Sequence, residues 1–191
     1  MDYLLLLRGV NVGGKHKVSM TDLKHTLEEN GFKNIKTYIN SGNIIFESDQ
    51  DLDSLRNKIA NILKSNYDFP IPFSILRGQQ FLTVLENLPS WWQEVTARKD
   101  VLFYTNPSEA QTIQTRISQY PLHHERIYHT DIGIFWDKLD EAAFLKTAYH
   151  RQLIKESFYP HITIRNGNTV NKLSDLLKER LKTTVDDSTA S

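Results

Sequence analysis

The amino-acid sequence predicts an α+β protein made of two ferredoxin-like halves packed into one compact molecule, each half followed by an extra helix. Three observations carry that expectation. The predicted elements run strand-helix-strand-strand-helix-strand and then do so again. The halves share letters as well as order: IKTYINSGNIIFE runs beside ERIYHTDIGIFWD, and Arg77 with Leu82, Leu85 and Leu88 matches the spacing of Arg165 with Val170, Leu173 and Leu176. Internal similarity at this scale argues for duplication. Finally, Leu4–Leu7, Val101–Tyr104 and Ile132–Trp136 are apolar on both faces. A ferredoxin-like sheet carries helices on one face only, so its second face must also be covered, and the other half is the natural cover.

Each element has its own local reason. Residues 3–8 (YLLLLR) form an apolar run ending at Gly9, as a buried strand does. Ser19 with Asp22 three residues on resembles a capping box, and Met20, Leu23 and Leu27 then recur at helical spacing up to Asn30-Gly31. Residues 33–39 alternate and pair through the turn Asn40-Ser41-Gly42-Asn43 with the strand IIFES. Leu52, Leu55, Ile59, Ile62 and Leu63 mark a helix over 51–66, and Pro72 places the strand 71–77 at a sheet edge. A helix over 78–88 closes the first half, residues 1–88. Residues 89–99 (PSWWQEVTARK) form a connector. The second half, 100–182, repeats the order: strands at 100–105, 124–129, 132–137 and 161–165, and helices at 108–119, 139–157 and 169–182. The polar tail 183–191 is expected to fray.

The bulk numbers exclude several function classes. Lys plus Arg is 23 and Asp plus Glu is 23, so the net charge is zero. A neutral chain has no global field to hold a polyanion, and any such ligand needs a local basic patch. With no Cys in 191 residues, disulfides, thiol nucleophiles and Cys-held zinc are excluded. No apolar run approaches the roughly 20 residues that span a bilayer, so no membrane partner is expected. Met1–Arg8 reads as a strand and not as a leader, which points to the cytoplasm.

Among the motifs, Gly9-Val10-Asn11-Val12-Gly13-Gly14-Lys15 has the spacing GxxxxGK. A P-loop needs Ser or Thr next and a helix starting at the Lys. Here His16 follows and the helix begins at Ser19 or later, so nucleotide hydrolysis by this route is not expected. Two readings remain: a βα loop whose glycines serve the turn, or an anion site formed by Arg8, Asn11, Gly13, Gly14, Lys15, His16 and Lys17. A second basic group, Arg165, Asn168 and Lys172, lies where a strand runs into a helix. It reads either as turn and cap chemistry or as a partner of the first group. Asn40, Ser41 and Asn43 are accounted for by hairpin chemistry. His123, His124 and His129 do not share a face, and no metal site is expected. Trp91 and Trp92 read as a plug between the halves or as an exposed interface. GxSxG, HExxH and an EF-hand loop are absent, no catalytic set is recognisable and no cofactor is implied. The strand Asn43–Glu47 is not RNP-like, which argues against RNA binding across the sheet.

The stretches LLRGVNVGGKHKVSM, TYINSGNIIFES and RNGNTVNKL resemble the signature segments of DUF1697, a family of uncharacterised, mostly bacterial proteins. The resemblance spans nearly the whole chain and implies an α+β fold, but no activity. Similar proteins often read RNWNT where this chain has Arg165-Asn166-Gly167-Asn168-Thr169, so an aromatic is missing here. The expected function is a binding module for a phosphorylated small molecule, a nucleotide or a nucleic acid, acting through loop 9–18. The alternative is a protein-interaction or structural module without catalytic activity. Nothing in the sequence sets the oligomeric state.

Overall fold

A computed structural model describes residues 1–189, with side chains as far as Lys182. Its strands are β1 (Asp2–Leu7), β2 (Lys33–Tyr38), β3 (Asn43–Glu47), β4 (Phe73–Arg77), β5 (Arg98–Tyr104), β6 (Glu125–His129), β7 (Gly133–Lys138) and β8 (Ile162–Asn166). Its helices are α1 (Met20–Glu29), α2 (Leu52–Asn66), α3 (Gly78–Glu86), α4 (Ala110–Ile117), α5 (Ala148–Arg151) and α6 (Gly167–Thr189). Among the described residues the strands form two four-stranded antiparallel sheets, ordered β2-β3-β1-β4 and β6-β7-β5-β8. The tail expected over 183–191 falls on α6 as far as Thr189 and otherwise lies outside the described residues.

Period-two side-chain alternation sorts β1 between two cores. Tyr3, Leu5 and Leu7 pack with α1 and α2 in an outer core of the first half. Leu4 and Leu6 point the other way, into a central core with Phe81 and Leu82 of α3, Val101 and Phe103 of β5, Phe135 of β7, and Val170, Leu173 and Leu177 of α6. Leu102, Tyr104, Ile134 and Trp136 face a third core under α4 and α5. The all-apolar strands are therefore covered on both sides, and the two sheets share the middle layer. Each fully buried Leu there contributes about 2 kcal/mol of apolar burial. β4 is an edge strand, as Pro72 implied, and it lies against β8 and β5 across the seam.

Local capping follows the sequence. The Ser19 hydroxyl accepts from Asp22 N at 3.2 Å, and the Asp51 carboxylate accepts from Asp53 N and Ser54 N. Trp92 is 5% exposed and meets Phe135 edge-on at 5.0 Å, while half-buried Trp91 leans on Trp92 and lies under Arg126. The pair plugs the central core.

Two expectations need correction. The helix predicted over 139–157 is broken into 3-10 turns at Phe144–Lys146 and Leu153–Lys155 around the four-residue α5. The buried Glu125 carboxylate accepts from Ala148 N and Tyr149 N, and Thr147 Oγ1 accepts from His150 N. These bonds fix a helix start in mid-segment. The expected matching of Arg77 with Arg165 also shifts by one. Arg77 closes β4 before Gly78 opens α3, as Asn166 closes β8 before Gly167 opens α6. Arg77 pairs across to Tyr3 as Asn166 pairs to Asp100, so Arg165 corresponds in place to Leu76.

Two predictions follow from packing and charge. Gly42 holds φ +77°, and a Cβ there would stand 2.6 Å from Leu7 Cβ. Gly42→Ala should lower the urea unfolding free energy by about 3 kcal/mol, from backbone strain plus overpacking. Arg116 joins α4 to Glu156 at 2.9 Å, and its hydrogen bonds hold the Glu156 carboxyl below the usual carboxylate range. The stability from this pair is complete above the ordinary value of about 4.3 and is lost as pH falls through the lowered one. Unfolding followed from pH 6 downward should show a shallower acid loss in Glu156→Gln than in the parent protein.

Candidate functional site

Residues 9–18 fold as a small projecting hairpin. Val12 and Lys15 form an antiparallel bridge, with Lys15 N donating to Val12 O at 3.1 Å. Gly13 and Gly14 occupy the turn with φ +58° and +75°. Two consecutive positive φ values make the tight reversal that glycine permits and that suits strand twist. Asn11 N donates to His16 O at 3.0 Å on the next rung. Asn11 then locks the base: its Nδ2 donates to Val18 O and Asn40 O, and its Oδ1 accepts from Val18 N, all at 2.7–2.8 Å. Val10 and Val18, buried on either side, root both arms in the outer core.

This geometry differs from a phosphate-cradling loop. Lys15 N is used within the hairpin, and α1 starts at Met20, after the hairpin has returned to the core. What the hairpin displays is charge. Lys15, His16 and Lys17 are exposed, and among the described residues no carboxylate pairs with them. The His16 ring stacks on Phe69, with centroids 4.5 Å apart and planes 22° apart. Arg8, at the foot of the hairpin, donates to Ile162 O at 2.6 Å and lies over the Tyr159 ring at 4.8 Å.

Arg165, expected as a ligand contact, is internal. It is 7% exposed and its guanidinium is committed to protein oxygens. Nη2 donates to Leu7 O at 2.7 Å, Ser41 O at 3.0 Å and Gly42 O at 3.3 Å. Nη1 donates to Thr163 Oγ1 and Ile164 O, and Nε to Asn43 Oδ1. Asn43, read from sequence as a turn residue, is fully buried and turns its oxygen to this cation. Thr163 Oγ1 also donates to Leu7 O. All these acceptors are neutral, and burial pushes the Arg165 pKa down to about 10.

The two basic groups thus meet only in part. Arg165 and Arg8 join β8 to the foot of the hairpin. Asn168 and Lys172 lie past the other end of β8, about 13 Å along the strand. Asn168 lines a separate cleft of about 590 Å³ with Gly167, Asn171 and residues 92–100. Lys172 is exposed on the first turns of α6. Asn166 is used as a cap, its Oδ1 accepting from Thr169 N at 2.8 Å. His129 contacts Ser118 Oγ at 3.1 Å, while His123 and His124 line a different hollow.

Sequence reasoning missed Phe69, Tyr159 and Asn43. Phe69-Pro70 and Tyr159-Pro160 are aromatic-Pro pairs preceding the last strand of each half. In the structure both aromatics carry a basic residue of segment 8–16.

This fold places the chain among α+β proteins with paired antiparallel sheets, and its site among basic surface hairpins. The chain belongs to the DUF1697 family, described as a protein of unknown function, whose sequence profile matches residues 1–135. A solved structure described as conserved bacterial protein SP0830 from Streptococcus pneumoniae is similar over 92% of this chain and 98% of that chain, with 43% identity and a TM-score of 0.88. No curated protein matches. No helix among the described residues is long and apolar enough to cross a membrane.

Arg165→Ala should cost about 3 kcal/mol in urea unfolding, because it strands buried acceptors on both halves of the molecule. Arg165→Lys should recover only part of this, since one ammonium cannot reach acceptors spread around a planar fork.

Proposed function

We propose that this protein binds a phosphate-bearing ligand through the hairpin at residues 9–18. The observation that carries this reading is three exposed cationic or protonatable side chains, Lys15, His16 and Lys17, without carboxylate partners among the described residues, on a hairpin braced at its base by Asn11. A braced display loses less conformational entropy on binding than a loose loop does. Arg8 and Arg165 add charge beneath it, and each donates to neutral oxygens. The chain is neutral overall, so this end is a local positive patch of the kind a neutral protein needs to attract an anion. Phosphate, with more anionic oxygens than a carboxylate, suits several separate cationic side chains carried on one hairpin.

The scaffold in this reading is a duplicated ferredoxin-like unit. The element order with the antiparallel arrangement β2-β3-β1-β4, and its counterpart β6-β7-β5-β8, supports it. α3 and α6 are then the extra helices that fill the space between the halves. The absence of Cys suits the cytoplasm. The interaction-module alternative, motivated by the missing catalytic set and the Trp pair, loses part of its support because Trp92 is in the core, while Trp91 is half-buried.

Titration with inorganic pyrophosphate at low salt tests the site. Lys15→Ala should weaken binding about tenfold without moving the urea midpoint, and the affinity of the parent protein should fall as salt rises. Equal affinity in the parent and the variant would remove the hairpin from the site.

A further inference from the structure

We propose that the ligand is a nucleoside phosphate, its phosphate on the hairpin and its base in the apolar groove beside it; this step rests on the phosphate-binding reading above. The groove, about 430 Å³, lies between the end of α2 and the segment leading into β4. Its walls include Ala60, Tyr67, Phe69 and Phe73, with Lys64 and Asp68 as its charged members. That volume lies in the ordinary range for small-molecule sites, which are mostly apolar with a few polar groups.

The groove and the hairpin share a wall. Phe69 lines the groove and also carries the His16 ring at 4.5 Å. Lys15 and Lys17 flank His16 in sequence, each about 3.8 Å away along the backbone. In this proposal a single ligand sets an aromatic surface against Tyr67 and Phe69 and its anion against the lysines. Tyr67 and Phe69 stand 5.7 Å apart and tilted by 47°, a corner and not a closed stack. Inorganic phosphate or a sugar phosphate would leave this aromatic surface unused. A nucleobase uses it, and stacking of a base on an aromatic side chain contributes about 1–3 kcal/mol. Asp68, acceptor-only when ionised, suits an exocyclic amine or a ribose hydroxyl. The same chemistry belongs to a free nucleotide and to one residue of a single strand.

The test is calorimetric titration of the full chain at low salt with ADP, pyrophosphate, ribose 5-phosphate and a short single-stranded oligonucleotide. It compares the parent protein with Lys15→Ala, Ala60→Leu and Phe69→Leu. Ala60 is exposed on α2 and Leu is a good helix former, so Ala60→Leu fills the groove without touching the core. ADP should bind about tenfold tighter than pyrophosphate or ribose 5-phosphate. Ala60→Leu should erase that margin and leave pyrophosphate unchanged, Phe69→Leu should erase it as well, and Lys15→Ala should weaken both. An oligonucleotide tighter than ADP identifies a strand as the source, and the reverse identifies a free nucleotide. If ADP and pyrophosphate bind equally and Ala60→Leu changes neither, the groove is overturned while the hairpin reading stands. If ADP binding ignores Lys15→Ala, the hairpin reading falls and this proposal with it. Binding of none of the four probes overturns both.

Discussion

The Arg165 guanidinium is the point on which both halves of the molecule and the foot of the hairpin converge. It spans the seam from β8 to the end of β1 and the turn between β2 and β3. Burying a cation without a counter-ion is costly, and here the cost is offset by hydrogen bonds from a charged donor, each contributing about 1.5–3 kcal/mol. Because the acceptors are mainly backbone carbonyls, the arrangement constrains the chain path itself. Leu7 O receives Arg165 and Thr163 together, immediately before Arg8 and the hairpin. The placement of the basic surface loop is thus set from inside the core.

The distribution of charge follows from the same choice. Elsewhere in the second half, buried Lys138 contacts Asp100, and half-buried Arg126 donates twice to one Asp137 oxygen while it also reaches Glu94. At the hairpin end, Arg8 and Arg165 end on neutral oxygens and Lys15 and Lys17 are exposed. A chain with no net charge thus sets exposed lysines on a hairpin above arginines that end on neutral oxygens. That hairpin borders a groove walled by Tyr67, Phe69 and Phe73, which gives the site both electrostatic and apolar character.

Much of the scaffold was legible in the sequence because it depends on local chemistry. The unbroken apolar run Leu4–Leu7 required cover on both faces, and the central core provides it. Ser19 announced a helix start through its own side chain. The site was less legible because its geometry is long-range. Arg165 looked like a surface cation near a helix start, and only the packing of β8 against the first half turns it toward Leu7 and Asn43, more than 100 residues away. Asn43 was hidden for the opposite reason: Asn-Ser-Gly-Asn already explains a turn. The segment 139–157 has helical letters, but Glu125, distant in sequence, draws the Ala148 and Tyr149 amides to itself. The likeness of the two halves in letters was visible, yet the positions that correspond in place follow from where Gly78 and Gly167 begin their helices.

Native-state amide hydrogen exchange of the unliganded protein tests the central claim most directly. If the Arg165 seam braces the hairpin, the amides of Leu7, Arg8, Asn11 and Val18 should be protected and open together with β1 and β8. If Asn11 and Val18 exchange at unprotected rates while both sheets stay protected, the hairpin is a loose loop, and the account of a braced cationic display is contradicted.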